Sequence, residues 1–305
     1  MPHAGSLPAK CRIKHAVACD LKKPLMNRTL LVGFILCLLA LLPGCVVVGG
    51  KKGSNQEIAR ANVELAAEYY RLNRLEPALT SLKKALNADA RSVDGNSLMA
   101  LLYSRLDEKD LAQAYFEKAI DYVASDTVKY GEVHNNYAVF LCANGHYADA
   151  VTHFLLAVNN KLYNTPEVAY ENAGLCALKH QDKNKANRFF ADALAIDPNM
   201  PRVLLEAARL NLMAKKYQLT QQLLRRYNKN NAATAESLWL LLQAEIGLGN
   251  HNAARKTLDQ LKSRFPDAIE TRNGLKLLVS DRDPASACAM YARALAGSRS
   301  DINSG

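Results

Sequence analysis

The feature that most constrains this chain is a unit of about 34 residues that repeats six times in register. Each copy contains two segments with apolar residues at helical spacings of three and four, separated by a short polar or glycine-containing break. In the third copy, residues 137–142 form one such face, Asn144 and Gly145 interrupt it, and residues 150–157 form the next. The units start near Ala59, Val93, Gly131, Glu167, Pro201 and Ala235.

Small and large residues occupy fixed positions of the unit. Position 20 is alanine in five of the six copies, position 8 is alanine or glycine in five, and position 24 is always leucine or phenylalanine. Small side chains let two antiparallel helices approach closely, and large ones fill the space beside them. Because one helix pair cannot bury its own apolar face, consecutive copies must stack. This tetratricopeptide pattern predicts an all-α fold, a right-handed superhelical solenoid of about six helix-turn-helix units.

Net charge does not point to a nucleic-acid partner. The formal charge is +10, with 39 Lys and Arg against 29 Asp and Glu. Residues 1–44 hold six of the basic residues and a single acidic one, which leaves +5 on the rest of the chain. Nucleic-acid interfaces typically contain Lys/Arg-rich runs interleaved with aromatic residues. The rest of this chain has no such run. We therefore expect no nucleic-acid binding.

The amino-terminal segment has the pattern of a secretory signal. An unbroken apolar run of 13 residues extends from Leu30 to Leu42 and begins two residues after the basic Arg28. A run of this length behind a positive charge is typical of a signal peptide and is short for a membrane span. Met26 is the better translation start, because the basic residue and the apolar run follow it closely. Residues 26–44 are therefore predicted to be the signal peptide and residues 1–25 an extension upstream of it.

The run ends in Leu-Leu-Pro-Gly-Cys at residues 41–45, which looks like a bacterial lipobox. In such a sequence the cysteine is acylated and becomes the new amino terminus, so lipidation is predicted at Cys45. The alternative is an uncut anchor, because residues 30–50 carry no charge and could span a bilayer. Several acyl chains would hold the protein firmly on a membrane surface. By resemblance to Gram-negative lipoproteins, the absence of Asp after Cys45 predicts the periplasmic face of the outer membrane.

The remaining sequence divides at clear changes of pattern. Residues 45–58 are the lipidated cysteine and a Gly, Ser and Lys-containing tether, and residues 59–268 are the tetratricopeptide array. Residues 269–305 are predicted to be a capping helix followed by a disordered tail. Extra residues at 161–166 fall between two units, where we expect a longer turn on the surface.

Two cysteines occupy nearly equivalent places in neighbouring units. Cys142 and Cys176 lie at positions 12 and 10 of the first helices of units 3 and 4, and such helices pack side by side in a solenoid. In an oxidising periplasm the pair is predicted to form a disulfide. The alternative is that both are small buried residues.

Nothing in the sequence has the pattern of a catalytic site. No HExxH, metal-spaced Cys-x-x-Cys, Gly-x-Ser-x-Gly or phosphate-binding glycine loop occurs, and the histidines are scattered over turns and separate units. We expect no enzyme activity, no cofactor, no metal and no small-molecule substrate.

A binding surface is predicted on the first helix of each unit, which lines the concave side of such a solenoid. Apolar groups with Arg and Asn at their rim suit an extended or helical peptide. Asn136 and Asn172 share position 6, where they either hold a ligand or bridge adjacent helices. The candidate groove residues are Tyr70, Arg71, Leu101, Arg105, Asn135, Asn136, Val139, Glu171, Asn172 and Leu175.

With the lipobox and the six units, two stretches resemble the PilW/PilF family of type IV pilus biogenesis lipoproteins. They are Asn-Asn-Tyr-Ala-Val-Phe-Leu-Cys at 135–142 and Glu-Asn-Ala-Gly-Leu-Cys at 171–176. The resemblance implies an outer-membrane lipoprotein that acts as a pilotin, helping pilus secretin subunits to reach the membrane and assemble. The alternative is a generic periplasmic scaffold for cell-envelope assembly that uses the same array to organise other clients.

Overall fold

The computed structural model describes residues 54–125 and 127–280. This part of the chain consists of thirteen α-helices without a strand, which confirms the predicted all-α class. In chain order the helices are α1 Asn55–Arg71, α2 Leu75–Ala88, α3 Val93–Arg105, α4 Lys109–Tyr122, α5 Val128–Ala143, α6 Tyr147–Asn159, α7 Pro166–Lys179, α8 Lys183–Ile196, α9 Pro201–Met213, α10 Tyr217–Asn230, α11 Ala235–Gly247, α12 His251–Arg264 and α13 Ile269–Ser280.

The first twelve helices form six antiparallel pairs, here called units 1 to 6, each with a first and a second helix. Two first helices begin earlier than the repeat alone suggests, α1 at Asn55 and α5 at Val128. A capping box explains the start of α1, because Ser54 accepts a hydrogen bond from the backbone of Glu57 while the Glu57 carboxylate accepts one from the backbone of Ser54. Proline at the first position starts α7 and α9, where its missing N–H costs nothing.

Every unit turns between its two helices in the same way. Position 15 has a positive φ of 57° to 90° in all six units, and the next residue donates its backbone N–H to the carbonyl five residues earlier. This left-handed cap satisfies carbonyls that the ending helix leaves free. Only Gly145 and Gly249 adopt the conformation without steric cost. The position-15 residues are Asn73, Asp107, Gly145, Gln181, Lys215 and Gly249.

The core consists of the positions that repeat in the sequence. Position 20 is fully buried in all six units, and position 24 is at most 8% exposed. Because position 20 holds Ala or Thr, the two helices of a pair lie close together, and the Leu or Phe at position 24 fills the space beside them. A continuous buried cluster includes residues at these positions in units 2 to 5 and extends to first-helix residues of unit 6. The fully buried large side chains at position 24 include Leu82, Phe116, Phe190 and Leu224.

The first helices form one wall of the array. Those of units 1 and 2, 2 and 3, 3 and 4, and 5 and 6 contact each other directly, whereas consecutive second helices make few or no contacts. The wall with the closer contacts is the inner one, and the second helices splay apart outside it. The last helix, α13, packs against α11 and α12 and covers the exposed end of unit 6.

The extra residues between units 3 and 4 are not a simple surface turn, contrary to the expectation. Tyr163 is only 7% exposed and packs with Ala157 and Ala169. Its ring lies against Gly131, where an added Cβ would come within 2.5 Å of the tyrosine Cγ. The insertion therefore supplies a core side chain between these two units.

Several sequence-based expectations lie outside the described residues. These are the upstream extension, the signal peptide, the lipidated Cys45, most of the tether and the tail from residue 281. Among residues 54–125 and 127–280, no helix combines the length and apolar character that a bilayer crossing requires.

Candidate protein-binding groove

The ten predicted groove residues all lie on first helices, and they differ in accessibility. Arg71, Arg105 and Val139 are exposed, and Asn135 is buried. The other six are half-buried, so their side chains can contact a ligand while also packing against the wall. They are Tyr70, Leu101, Asn136, Glu171, Asn172 and Leu175.

At the amino-terminal end, Arg105 of unit 2 is tied to unit 1. Its guanidinium lies 4.3 Å from the centre of the Tyr70 ring, and its Nη1 donates to the Tyr70 carbonyl oxygen at 3.1 Å. Arg71 forms an ion pair with Glu68 on its own helix. Both arginines are thus held along the rim of the groove, with the Tyr70 ring covered by Arg105 on one face.

In the middle of the wall, Asn172 is held by a neighbouring helix. Its Nδ2 donates to Oδ1 of Asn135 at 3.0 Å, which connects α7 to α5. Asn135 differs from the expectation of a groove-facing residue, because it is only 7% exposed and its side-chain oxygen is occupied. No side-chain hydrogen bond of Asn136 occurs within the described residues, so its amide is available to a ligand.

Two valines expose apolar surface on the same two helices. Val139 on α5 is 43% exposed and Val168 on α7 is 37% exposed. Both lie on first helices, and α5 and α7 contact each other directly. Scattered apolar side chains are normal on a surface, but two beside a free amide form the mixed surface that an extended peptide requires. Val168 was not among the predicted groove residues.

The groove becomes ionic toward its carboxyl-terminal end. Burial raises the pKa of Glu171, and the positive charge of Arg202 partly offsets this shift. Arg209 on α9 forms an ion pair with Glu236 on α11 and lies 3.7 Å from the Glu206 carboxylate. These ion pairs are partly exposed to solvent, so each contributes little to the stability of the array. Their main effect is to place charged groups along this end of the groove.

Charge is distributed unevenly along the array. Residues 54–200 contain 15 Lys and Arg against 19 Asp and Glu, whereas residues 201–280 contain 13 against six. Much of the basic surface lies on the exposed faces of α10 and α12. Its exposed members there are Arg225, Arg226, Lys229, Arg255, Lys256, Lys262 and Arg264.

Units 3 and 4 are also joined covalently behind the groove. Cys142 on α5 and Cys176 on α7 form a disulfide, with Cα atoms 5.9 Å apart. Both residues are buried, at 7% and 3% exposure. Lys179 adds a hydrogen bond at 3.1 Å to the carbonyl of Ala143 on the neighbouring helix.

Two histidines of unit 3 lie in contact, which corrects the expectation that they are scattered. The Nδ1 atoms of His134 on α5 and His153 on α6 are 2.7 Å apart, so one ring must donate and the other accept. Burial and the nearby His153 lower the pKa of His134 to about 4, and burial lowers the pKa of His153. Their positions, 4 and 23, fall on facing helices of one unit, a pairing that the repeat register could have identified.

The tetratricopeptide repeat family model matches residues 59–92 and 94–122. The type IV pilus assembly protein PilF of Pseudomonas aeruginosa is 29% identical over 234 residues, which cover 75% of this chain and 91% of PilF. An uncharacterized protein of Haemophilus influenzae is 32% identical over 137 residues, which cover 45% of this chain and 74% of that protein.

Two solved structures extend the similarity to the whole array. The structure of P. aeruginosa PilF has a TM-score of 0.60 and 27% identity and matches 72% of this chain and 96% of its own. The structure of PilW, described as a widely conserved type IV pilus biogenesis factor, has a TM-score of 0.57 and 28% identity, with coverages of 72% and 98%. The chain belongs to the PilF and PilW family of tetratricopeptide-repeat proteins. Family members thus share the array of helix pairs, on which the groove described above is built.

Proposed function

We propose that this protein is an outer-membrane lipoprotein for type IV pilus biogenesis and that it acts as a pilotin for the pilus secretin. The array binds a segment of the secretin subunit, and acyl chains on Cys45 carry the complex to the outer membrane. The main support is the similarity to PilF and PilW, which spans almost the full length of both relatives.

The middle of the groove is the proposed contact for the secretin segment. The free amide of Asn136 would bond to the backbone of an extended chain, and Val139 and Val168 would receive its apolar side chains. Pairing of this kind protects strand edges that otherwise aggregate before the secretin ring closes. Arg71 and Arg105 at one rim favour a segment with acidic residues at the corresponding end.

Tethering both partners to one bilayer supplies the second half of the mechanism. A groove of modest affinity suffices when the lipid anchor raises the local concentration of the partner. Anchor and groove are therefore separable: loss of the groove prevents assembly, whereas loss of the anchor misplaces it.

The deciding experiment measures heat- and detergent-resistant secretin multimers in separated inner and outer membranes of the host bacterium. We expect deletion of the gene to reduce the multimers strongly, and Cys45→Ser to leave them in the wrong membrane. Cys288→Ser is the matched control for removal of a cysteine and should behave like the wild type. Unchanged multimers in the deletion strain would reject the pilotin role and favour a scaffold for other envelope proteins.

A further inference from the structure

The disulfide of units 3 and 4 has a histidine beside it. Cys176 and His180 lie one helical turn apart at the end of α7, and Cys142 approaches them from α5. The two sulfur atoms and a ring nitrogen of His180 lie within 4.8 Å of one another. The fold therefore brings together three metal-ligating side chains that the groove does not use.

The His180 ring is held in place while one of its nitrogens has no partner. The ring stacks on Tyr147 at 4.8 Å between centroids with an angle of 15°. Tyr147 is itself fixed, because its hydroxyl donates to Asp182 at 3.1 Å. The Nε2 atom of His180 is buried without a hydrogen-bond partner among the described residues. A buried polar atom left unpaired in a positioned ring points to a ligand at that place.

We propose that Cys142, Cys176 and His180 form a binding site for one thiophilic cation, Zn²⁺ or Cu⁺, when the two cysteines are reduced. Thiolate and imidazole are the ligands that these d¹⁰ ions prefer. Zinc bonds of roughly 2.3 Å to sulfur and 2.0 Å to nitrogen place tetrahedral ligands about 3.5 to 3.8 Å apart. Side-chain rotation of the cysteines gives that spacing, because it separates the sulfurs and brings them toward the imidazole.

The cation and the disulfide are alternative states of the same pair. Starting from the disulfide, a dithiol supplies two electrons and two protons and is itself oxidised to a disulfide. The cation then binds both sulfurs as thiolates, and the two thiol protons are released to solvent. Three protein ligands leave a fourth position for water on Zn²⁺, whereas Cu⁺ needs no fourth ligand. A newly exported chain, still reduced, would begin in the metal-binding state.

The test uses the full mature chain, reduced with a phosphine that is then removed under nitrogen. Co²⁺ serves as the spectroscopic probe for the zinc arm, because thiolate ligation gives an intense charge-transfer band. Displacement of Co²⁺ by Zn²⁺ gives the zinc affinity, and competition with a Cu⁺-specific chelator gives the copper affinity. We expect one equivalent to bind to the reduced protein and no such band in the oxidised protein.

Substitutions of the three candidate side chains test which of them bind the metal ion. His180→Ala should weaken binding by about tenfold or more, since loss even of outer hydrogen bonds to metal ligands commonly costs ten- to a hundredfold. His146→Ala removes an exposed histidine in the turn between α5 and α6 and is the control, with unchanged affinity. Cys142→Ser with Cys176→Ser defines the background from the other cysteines of the chain. Circular dichroism of the oxidised His180→Ala protein establishes that it folds.

Equal affinity in the wild type and His180→Ala would overturn the proposal, as would a thiolate band that persists in the double serine variant. Tight binding of Zn²⁺ with weak Cu⁺ binding identifies the site as a zinc site, and the reverse identifies a copper site.

Discussion

The junction between units 3 and 4 and the junction between units 5 and 6 are equivalent places in the repeat, yet they are held by different chemistry. The first has a disulfide, the hydrogen bond that the Asn172 side chain donates to Asn135, and the buried Tyr163. The second has the Arg209 to Glu236 ion pair. The repeat thus fixes the backbone geometry of a junction and leaves its polar contacts free to vary.

This difference should make the two junctions respond to different conditions. A covalent bond and neutral amides are insensitive to salt, whereas partly exposed ion pairs are screened by it. The groove of units 3 and 4 also exposes apolar surface at Val139 and Val168 beside the half-buried Glu171, while residues 201–280 carry 13 basic against six acidic residues. The apolar surface suits a peptide with apolar side chains, and the basic region contributes charge.

The largest expected effect concerns the disulfide. Cys142→Ala with Cys176→Ala should lower the free energy of unfolding by about 3 to 4 kcal/mol, the value for a closed loop of this length. The cysteines are 34 residues apart, so the bond restricts a full unit of the unfolded chain. Urea denaturation with and without reductant measures the effect. The reductant should destabilise the wild type and leave the double variant unchanged; equal responses would contradict this account of the junction.

The second effect is the pH response of unit 3. The pKa of His134 falls from 6.5 to about 4 on folding, so the unfolded chain binds the proton more strongly. The stability that this group contributes is therefore complete above pH 6.5 and is lost as the pH falls toward 4. Between pH 7 and pH 5 the loss is about 2 kcal/mol.

The buried His134 ring contacts Tyr130 and His153, and His153 in turn contacts the Tyr137 ring and is affected by the charge of Asp149. His134→Gln keeps a hydrogen-bonding side chain without titration and should flatten the pH dependence of the urea midpoint. His251→Gln, on the exposed start of α12, is the control. An unchanged slope in His134→Gln would assign the pH response to another group.

A third, smaller effect separates two neighbouring asparagines. Asn172→Ala removes the bond to Asn135 and should lower the free energy of unfolding by about 1 kcal/mol. Asn136→Ala removes a side chain without such a bond and should leave stability unchanged while it reduces secretin multimers. Thermal unfolding measures the stabilities. The opposite assignment of the two effects would mean that Asn172 contacts the ligand and Asn136 supports the fold.

The smallest effect is expected at the ionic junction. Arg209→Met should cost at most about 1 kcal/mol at low salt, because the Arg209 side chain is 31% exposed and solvent screens its ion pairs. The difference from the wild type should shrink in molar salt. Arg226→Met, an exposed change on α10, provides the baseline. A salt-independent loss would show that Arg209 acts through packing of its aliphatic part.

The core could be predicted from the sequence because it depends on residue size at fixed positions. Ala78, Ala112 and Phe116 are buried as their positions in the repeat require. The shared turn was harder to recognise, since glycine marks the left-handed residue in only two units, while Asn73 and Lys215 give little indication of it.

The groove was only partly predictable. Asn135 and Asn136 are adjacent in sequence, and a rotation of one residue decides which one is buried against α7. That rotation depends on how α5 and α7 pack, and Tyr163 of the insertion takes part in this packing against Gly131 on α5 and Ala169 on α7. Sequence periodicity identifies which face of a helix is buried. It does not predict the small rotation that buries Asn135 and leaves Asn136 accessible.

The proposed role of the groove in secretin assembly is tested most directly by changing one exposed residue in the groove and one outside it. Val139 on α5 is 43% exposed and Leu219 on α10 is 42% exposed, so glutamate at either place should leave the fold intact. The measurement is the amount of heat-resistant secretin multimer in the outer membrane of cells that produce each variant at equal levels. We expect loss of multimers with Val139→Glu and wild-type levels with Leu219→Glu. Wild-type levels with both variants would show that this face of α5 does not bind the secretin.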